Sequence, residues 1–245
     1  MKVLAIGNSF SQDATRYLSK IAAADHYDMK VVNLMIGGCP LRKHYFNALE
    51  NNKTYSMEYR GEVTGFSVSI KEALMSDEWD VVTIQQVSHK SPYYETFQPY
   101  LHFMGEYIRK YAPQAKIYLQ QTWAYEDGSK RLCEELGYEA AADMLADVKR
   151  SYQLAAEDIN ADGIIPSGEV MYEMVARGIE KVHRDTFHAS KGLGRYALGL
   201  TWYSKLTGND IMDNPFAELD EETPAEEMQI AKECVRDVLA RAITD

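Results

Sequence analysis

A serine follows the first apolar run of the chain, at a point where the backbone must bend. Residues 3–6 are apolar, Gly7 permits backbone angles that other residues resist, and Ser9 follows shortly after. Ser11 and Asp13 have the residue types of an N-cap and a first helical turn. The pattern predicts a serine at the end of a strand, beside a helix N-terminus whose N–H groups can stabilise an anion. A phosphate-binding or purely structural turn is the alternative, because Gly-x-Ser is a weak motif.

An aspartate and a histidine lie three residues apart in a polar loop near the C-terminus. The carboxylate of Asp185 can fix the tautomer of His188, which leaves the other ring nitrogen free to accept a serine proton. The pair alone is a weak signal, and it is more typical of a solvated loop than of a catalytic site. Combined with Ser9, it predicts a nucleophile, a base and an orienting carboxylate.

Strand and helix patterns alternate along the chain, which predicts an α/β fold with a parallel sheet and helices on both faces. The carboxyl ends of such strands share one edge, so Ser9, the loop of residues 86–89 and the Asp185 loop should meet there. Neither a linker nor a repeat interrupts the pattern, and one domain over residues 1–245 is expected. Helices are predicted at residues 15–24, 67–75, 97–111, 138–159, 168–177 and 190–206, and a hairpin around residues 55–65.

Composition limits the classes of partner. The net charge is −11 and the isoelectric point is about 5.1, without a basic cluster, which argues against nucleic acid and anionic membrane surfaces. No signal peptide precedes the first strand and no apolar run reaches membrane-spanning length, so a cytoplasmic location is expected. An exported protein trimmed at its N-terminus would have the same pattern. Three scattered cysteines make a disulfide framework unexpected.

The motifs resemble those of the SGNH (GDSL-like) hydrolases. The resemblance lies in the Gly-Asn-Ser-Phe-Ser segment of residues 7–11, a glycine after the second strand, and the Asp185-x-x-His188 pair. The first segment, the Gly37-Gly38-Cys39 turn and residues 79–86 are more closely similar to the DUF4886 subgroup of SGNH-like proteins. This similarity spans nearly the whole chain, in order.

The resemblance implies a flavodoxin-like three-layer sandwich and hydrolysis of esters, often of acetylated carbohydrate. It makes Ser9 the nucleophile, His188 the base and Asp185 its orienting group. The oxyanion hole would use the Ser9 backbone N–H and the N–H of Gly38 or Gly37.

One family block is missing from this sequence. The resemblance calls for Gly-x-Asn-Asp, whose asparagine donates to the oxyanion, but residues 85–89 read Gln-Gln-Val-Ser-His. A glutamine amide is also a donor, so Gln86 is the predicted replacement and His89 the second choice. Ordinary loop contacts are the alternative for both.

Other residues permit rival chemistries. Cys39 with His44 nearby could form a thiol nucleophile, although a small buried residue is the simpler interpretation. His183, His188 and Asp185 could share a metal, but a metal hydrolase needs further carboxylates, and no metal or cofactor is expected.

Aromatic residues after the strands predict a platform for a sugar ring. Trp123, Tyr125 and Tyr93 are the expected substrate-binding residues, with ordinary loop packing as the alternative. The sequence thus predicts a serine esterase acting on a small-molecule or carbohydrate ester. A non-catalytic carbohydrate-binding module and an acyltransferase on the same fold are the alternatives.

Overall fold

A seven-stranded sheet forms the centre of the molecule. The structure, a computed structural model, describes residues 1–241; residues 242–245, at the end of the predicted domain, lie outside this range. The strands are β1 (Lys2–Gly7), β2 (Lys30–Met35), β3 (Tyr55–Tyr59), β4 (Glu62–Val68), β5 (Val81–Ile84), β6 (Lys116–Gln120) and β7 (Gly163–Ile165). Their order in the sheet is β4-β3-β2-β1-β5-β6-β7.

The sheet is mostly parallel, which confirms the predicted α/β class. β1 pairs in parallel with β2 and β5, β5 with β6, and β6 with β7. Residues 3–6 of β1 are buried on both faces, which explains their continuous apolar run. β3 and β4 form an antiparallel hairpin at one edge, as predicted for residues 55–65.

Helices flank the sheet in two groups. α1, α2, α7, α8 and α9 pack with one another, as do α3, α4 and α5, while α6 packs beside β7. The helices are α1 (Ser9–Thr15), α2 (Leu18–Ala24), α3 (Leu41–Glu50), α4 (Ile70–Met75), α5 (Tyr100–Tyr111), α6 (Ala141–Asp158), α7 (Ser167–Ala176), α8 (Leu193–Thr207) and α9 (Ala225–Arg241).

Five predicted helices begin three residues later than expected, at residues 18, 70, 100, 141 and 193, and two of these differences have a clear local reason. The helix predicted from residue 67 begins later, because Val68 still belongs to β4 and Ser69 caps α4 in a reciprocal box with Glu72. The helix predicted over residues 97–111 is divided into a 3₁₀ turn (Tyr94–Phe97) and α5. Pro99 separates the two, since proline has no N–H for a helix interior.

The carboxyl ends of the parallel strands meet at one edge. The segment after β1 carries Ser9, and the turn after β2 carries Gly37 and Gly38. The segments after β5 and β6 approach the same edge and line a common cavity with these residues. Within residues 1–241, no helix is both long and apolar enough to cross a membrane.

Candidate active site

Ser9 is the first residue of α1, and Asn8 is its N-cap. The Asn8 Oδ1 accepts a hydrogen bond from the Phe10 N–H at 3.0 Å. The predicted cap, Ser11, lies within the helix and donates through Oγ to the Asn8 carbonyl at 2.8 Å. The helix therefore begins three residues earlier than its sequence signals indicated, and Ser9 stands directly at its N-terminus.

Asn8 also links three strand ends. Its side chain is buried, donates to the Cys39 carbonyl at 3.1 Å, and accepts from the Gln85 Nε2 at 2.9 Å. Gly7 is needed beside it for space, because a Cβ there would lie 2.5 Å from Ser11 Oγ. These contacts fix the bend that presents Ser9.

The three side chains predicted for catalysis form one hydrogen-bonded chain. His188 Nε2 lies 2.9 Å from Ser9 Oγ, and His188 Nδ1 lies 2.8 Å from Asp185 Oδ2. The other Asp185 oxygen accepts from the His188 backbone N–H at 2.9 Å. The pKa of Asp185 is lowered: partial burial raises it, but the hydrogen bonds and charge of His188 together lower it more. The carboxylate is thus ionised at neutral pH and can orient the imidazole.

Contacts from several elements hold the loop of Asp185 and His188. Arg184, beside Asp185, binds the buried carboxylate of Asp13 in α1 at 2.9 Å. Asp13 therefore joins α1, which carries Ser9, to the loop that carries His188, instead of serving the helix N-terminus. Thr186 has a φ of 73°, rare for a β-branched residue, and its carbonyl accepts from the Glu126 N–H at 2.8 Å.

Two backbone amides are suited to bind an oxyanion. Gly38 has a φ of +60° in the turn closed by the hydrogen bond from the Cys39 N–H to the Ile36 carbonyl. In the described part of the chain, neither the Ser9 N–H nor the Gly38 N–H donates to a protein acceptor. Both residues, and Gly37, line the cavity at Ser9. Ser9 and Gly38 therefore lie where the predicted backbone donors would be needed.

The structure does not place the Gln86 side chain in this hole. Gln86 is buried, and its Oε1 accepts from the Leu41 and Val87 N–H groups at 2.9 Å each. Its Nε2 donates to the Thr96 carbonyl at 2.9 Å. With its amide engaged on both sides, Gln86 supports the loop and does not line the cavity. His89, the second choice, does line it.

The predicted aromatic platform is only partly present. Trp123 is fully buried, stacks on Phe10 with ring centroids 3.9 Å apart, and donates to the Phe187 carbonyl at 2.7 Å. It supports the site from below and cannot contact a sugar. Tyr93 is not among the lining residues, whereas Tyr125 is.

Phe187 is an aromatic lining residue that sequence reasoning missed, as is Phe10. The ring centroid of Phe187 lies 3.9 Å from that of His188. The signal was its position inside the Asp-x-x-His loop, next to the predicted base. The cavity has a volume of about 410 Å³. A second cavity of about 450 Å³ shares Tyr125 with it and lacks Ser9 and His188.

The rival nucleophile is buried in a neutral cluster. Cys39 is 1 % exposed, and burial raises the pKa of its thiol to about 12. Burial lowers the pKa of His44 to about 3, and His44 Nδ1 lies 2.8 Å from the Tyr55 hydroxyl. Neither a thiolate nor an imidazolium is favoured here, so Cys39 packs as a small buried residue.

His183 lines the second cavity and does not line the cavity at Ser9. Its Nε2 lies 3.2 Å from the Ala124 carbonyl, and burial lowers the pKa of the ring to about 4. Residues 1–241 contain no group of three or more His, Cys, Asp or Glu side chains arranged to hold a metal ion.

Comparison with known proteins identifies the family. Residues 2–238 match the family described as "Domain of unknown function (DUF4886)". The chain belongs to the DUF4886 family. A crystal structure of a DUF4886 family protein from Bacteroides uniformis is 30 % identical, with a TM-score of 0.89, and the match covers 98 % of this chain and 95 % of that one.

More distant structures show the same fold. A protein from Slackia heliotrinireducens, proposed to be an SGNH hydrolase, is 21 % identical with a TM-score of 0.61, over 84 % of this chain and 98 % of that one. The protein TesA is 15 % identical with a TM-score of 0.55, over 85 % and 99 %. A search of curated proteins finds no match. The chain thus has the SGNH hydrolase fold, as predicted.

Proposed function

We propose that this protein is a serine esterase that hydrolyses carboxylic esters through an acyl-enzyme, with acetylated carbohydrates as the expected substrates. The observation that carries the proposal is the chain of hydrogen bonds from Ser9 through His188 to Asp185, at a cavity of about 410 Å³. The SGNH fold of its structural relatives supports ester hydrolysis. The choice of acetylated carbohydrates as the expected substrates rests on the resemblance of the sequence motifs to those of the SGNH hydrolases.

Each step of the proposed reaction assigns a role to one of these residues. Ser9 Oγ attacks the acyl carbon while its proton passes to His188 Nε2, and Asp185 stabilises the imidazolium. The oxyanion accepts hydrogen bonds from the Ser9 and Gly38 N–H groups. Collapse returns the proton from His188 to the leaving alcohol and leaves the acyl group on Ser9. Water, deprotonated by His188, then releases the acid and restores Ser9.

The same groups permit acyl transfer when a sugar hydroxyl replaces water. A non-catalytic binding module, in contrast, has no need of a histidine that is both oriented by a carboxylate and hydrogen-bonded to a serine. The intact chain of hydrogen bonds therefore favours an enzyme over a binding module.

Kinetics with p-nitrophenyl esters of graded acyl length test the proposal. We expect hydrolysis of short acyl esters by the wild type and loss of turnover in Ser9→Ala. Cys39→Ala is the matched control, because it removes the rival nucleophile beside the same cavity, and it should retain activity. Release of free acid separates hydrolysis from transfer to an added sugar. Wild-type turnover in Ser9→Ala would contradict the proposal.

A further inference from the structure

The protein as a whole is negatively charged, but the charged side chain that lines the cavity at Ser9 is positive. The whole chain has 37 acidic and 26 basic residues. The cavity is lined by the cationic Arg131 and by His89, and no Asp or Glu is among its lining residues. Asp185 lies behind the ring of His188, where it is engaged with that residue. An anion entering this cavity therefore meets a positive charge.

The positive charge at this cavity is that of Arg131 and not of His89. Burial lowers the pKa of His89, and the charges of Lys90 and Arg131 lower it further. The imidazole is therefore neutral at pH 7, while a guanidinium keeps its charge at every physiological pH.

Arg131 is held beside the proposed base by packing. Its guanidinium carbon lies 4.0 Å from the centroid of the Phe187 ring, the residue before His188. Arg131 begins a π-helical turn (Arg131–Glu135), which the fully buried Leu132 anchors to the core. Stacking on an aromatic ring leaves the donor edge of a guanidinium available for a planar anion.

Arg131 differs from the other arginines near the site. Arg184 and Arg195 are both bound to the carboxylate of Asp13. Arg131, by contrast, forms no ion pair with any residue from 1 to 241, and Glu135 on the same turn is not an ion-pair partner. A stacked guanidinium that lines a cavity and has no ion-pair partner can donate hydrogen bonds to a carboxylate that enters the cavity.

We propose that Arg131 selects esters that carry a carboxylate, so that the substrate class of this site is acidic esters. The inference rests on the proposed esterase function. The carboxylate can come from the acyl group, as in the half-ester of a dicarboxylic acid, or from the alcohol, as in an acetylated uronic acid. Both sources present the same group to Arg131, and the experiment below has one arm for each.

Matched substrate pairs test the proposal. In the acyl arm, kcat/KM is measured for a p-nitrophenyl half-ester of glutaric acid and for its neutral methyl-capped counterpart, with spontaneous hydrolysis subtracted. In the alcohol arm, acetate release is measured from O-acetylated methyl galacturonoside and from its methyl ester. The wild type should prefer the anionic member about tenfold in at least one arm, as one charge-assisted hydrogen bond permits. The preference should shrink with added NaCl.

Variants of Arg131 test whether this residue causes the preference for the anionic ester. Arg131→Gln should lower kcat/KM about tenfold for the anionic ester and leave the neutral one within about twofold, and Arg131→Lys should be intermediate. Arg42→Gln is the control, since Arg42 is also exposed and stacks on a ring, that of Phe46 at 4.9 Å, outside this cavity. Arg42→Gln should have the wild-type kcat/KM for both esters. Every variant should keep the wild-type melting temperature.

Three results would overturn the inference. If anionic and neutral esters are hydrolysed equally in both arms, or if Arg131→Gln slows both members alike, Arg131 does not select a carboxylate, and Ser9-dependent hydrolysis still stands. If the wild type hydrolyses none of the four esters, the proposed function fails and this inference fails with it.

Discussion

Replacement of Asp13 by asparagine tests how the nucleophile and the base are held together. The Asp13 side chain is fully buried and accepts from Arg184 Nη1 at 2.9 Å and from Arg195 Nε at 2.8 Å. Removing one partner of a buried ion pair costs about 3–5 kcal/mol, because the remaining charge is left uncompensated. Asparagine keeps the shape and one acceptor oxygen, so we expect a loss of about 3 kcal/mol in the free energy of unfolding.

Urea denaturation at pH 7 measures this loss, and kcat/KM for a short acyl ester measures its effect on the site. Because Arg184 adjoins Asp185, a loop displaced by about 1 Å should lower kcat/KM of the folded enzyme by up to about 10²-fold. Asp237→Asn is the control: its side chain is 32 % exposed and pairs with Arg177, so about 0–1 kcal/mol is expected, with unchanged activity. An Asp13→Asn variant as stable and active as the wild type would refute the reasoning.

Three further changes have defined outcomes. Asp185→Asn should lower kcat by about 10⁴-fold with an unchanged circular dichroism spectrum, by analogy with the same change in serine proteases. Gln86→Ala should leave kcat nearly unchanged but cost about 1–3 kcal/mol in urea denaturation, because the Leu41 and Val87 N–H groups lose their acceptor. Acidification from about pH 6.5 to pH 4 should lower the melting temperature, because burial lowers the pKa of His183 to about 4 in the folded protein and the unfolded chain takes up the proton first; His183→Gln should remove part of this slope.

The position of Ser9 was predictable because it follows an apolar run that is typical of a buried strand, whereas the Asp185–His188 pair lies in a polar loop and was recognised by its residue types and spacing. Ser9 and the Asp185–His188 pair therefore came to one edge of the sheet as predicted, and the hydrogen-bond distances between them agree with that prediction. The parallel topology followed from the alternation of strands and helices. These features depend on local periodicity and on general rules of connection.

The contacts that support the site could not be predicted from the sequence, because they join residues that are far apart in the chain. The pairing of Asp13 with Arg184 spans 171 positions, and no local pattern announces it. Gln86 had the right chemistry for an oxyanion donor, but Leu41 and Thr96 engage its amide, and only the packed loop shows this. The sequence predicts Trp123 as part of a platform for a sugar ring, and its burial was not predictable because it depends on stacking against Phe10.

Covalent trapping tests the central claim most directly. The wild-type protein is incubated with a fluorophosphonate, which phosphonylates a serine activated by a neighbouring base, and peptide mass spectrometry locates the adduct. The account predicts one adduct per chain, on Ser9, with parallel loss of esterase activity, and neither adduct nor activity in Ser9→Ala. An adduct on another residue, or an unlabelled Ser9 in a protein that still turns over esters, would contradict the assignment of Ser9 as the nucleophile.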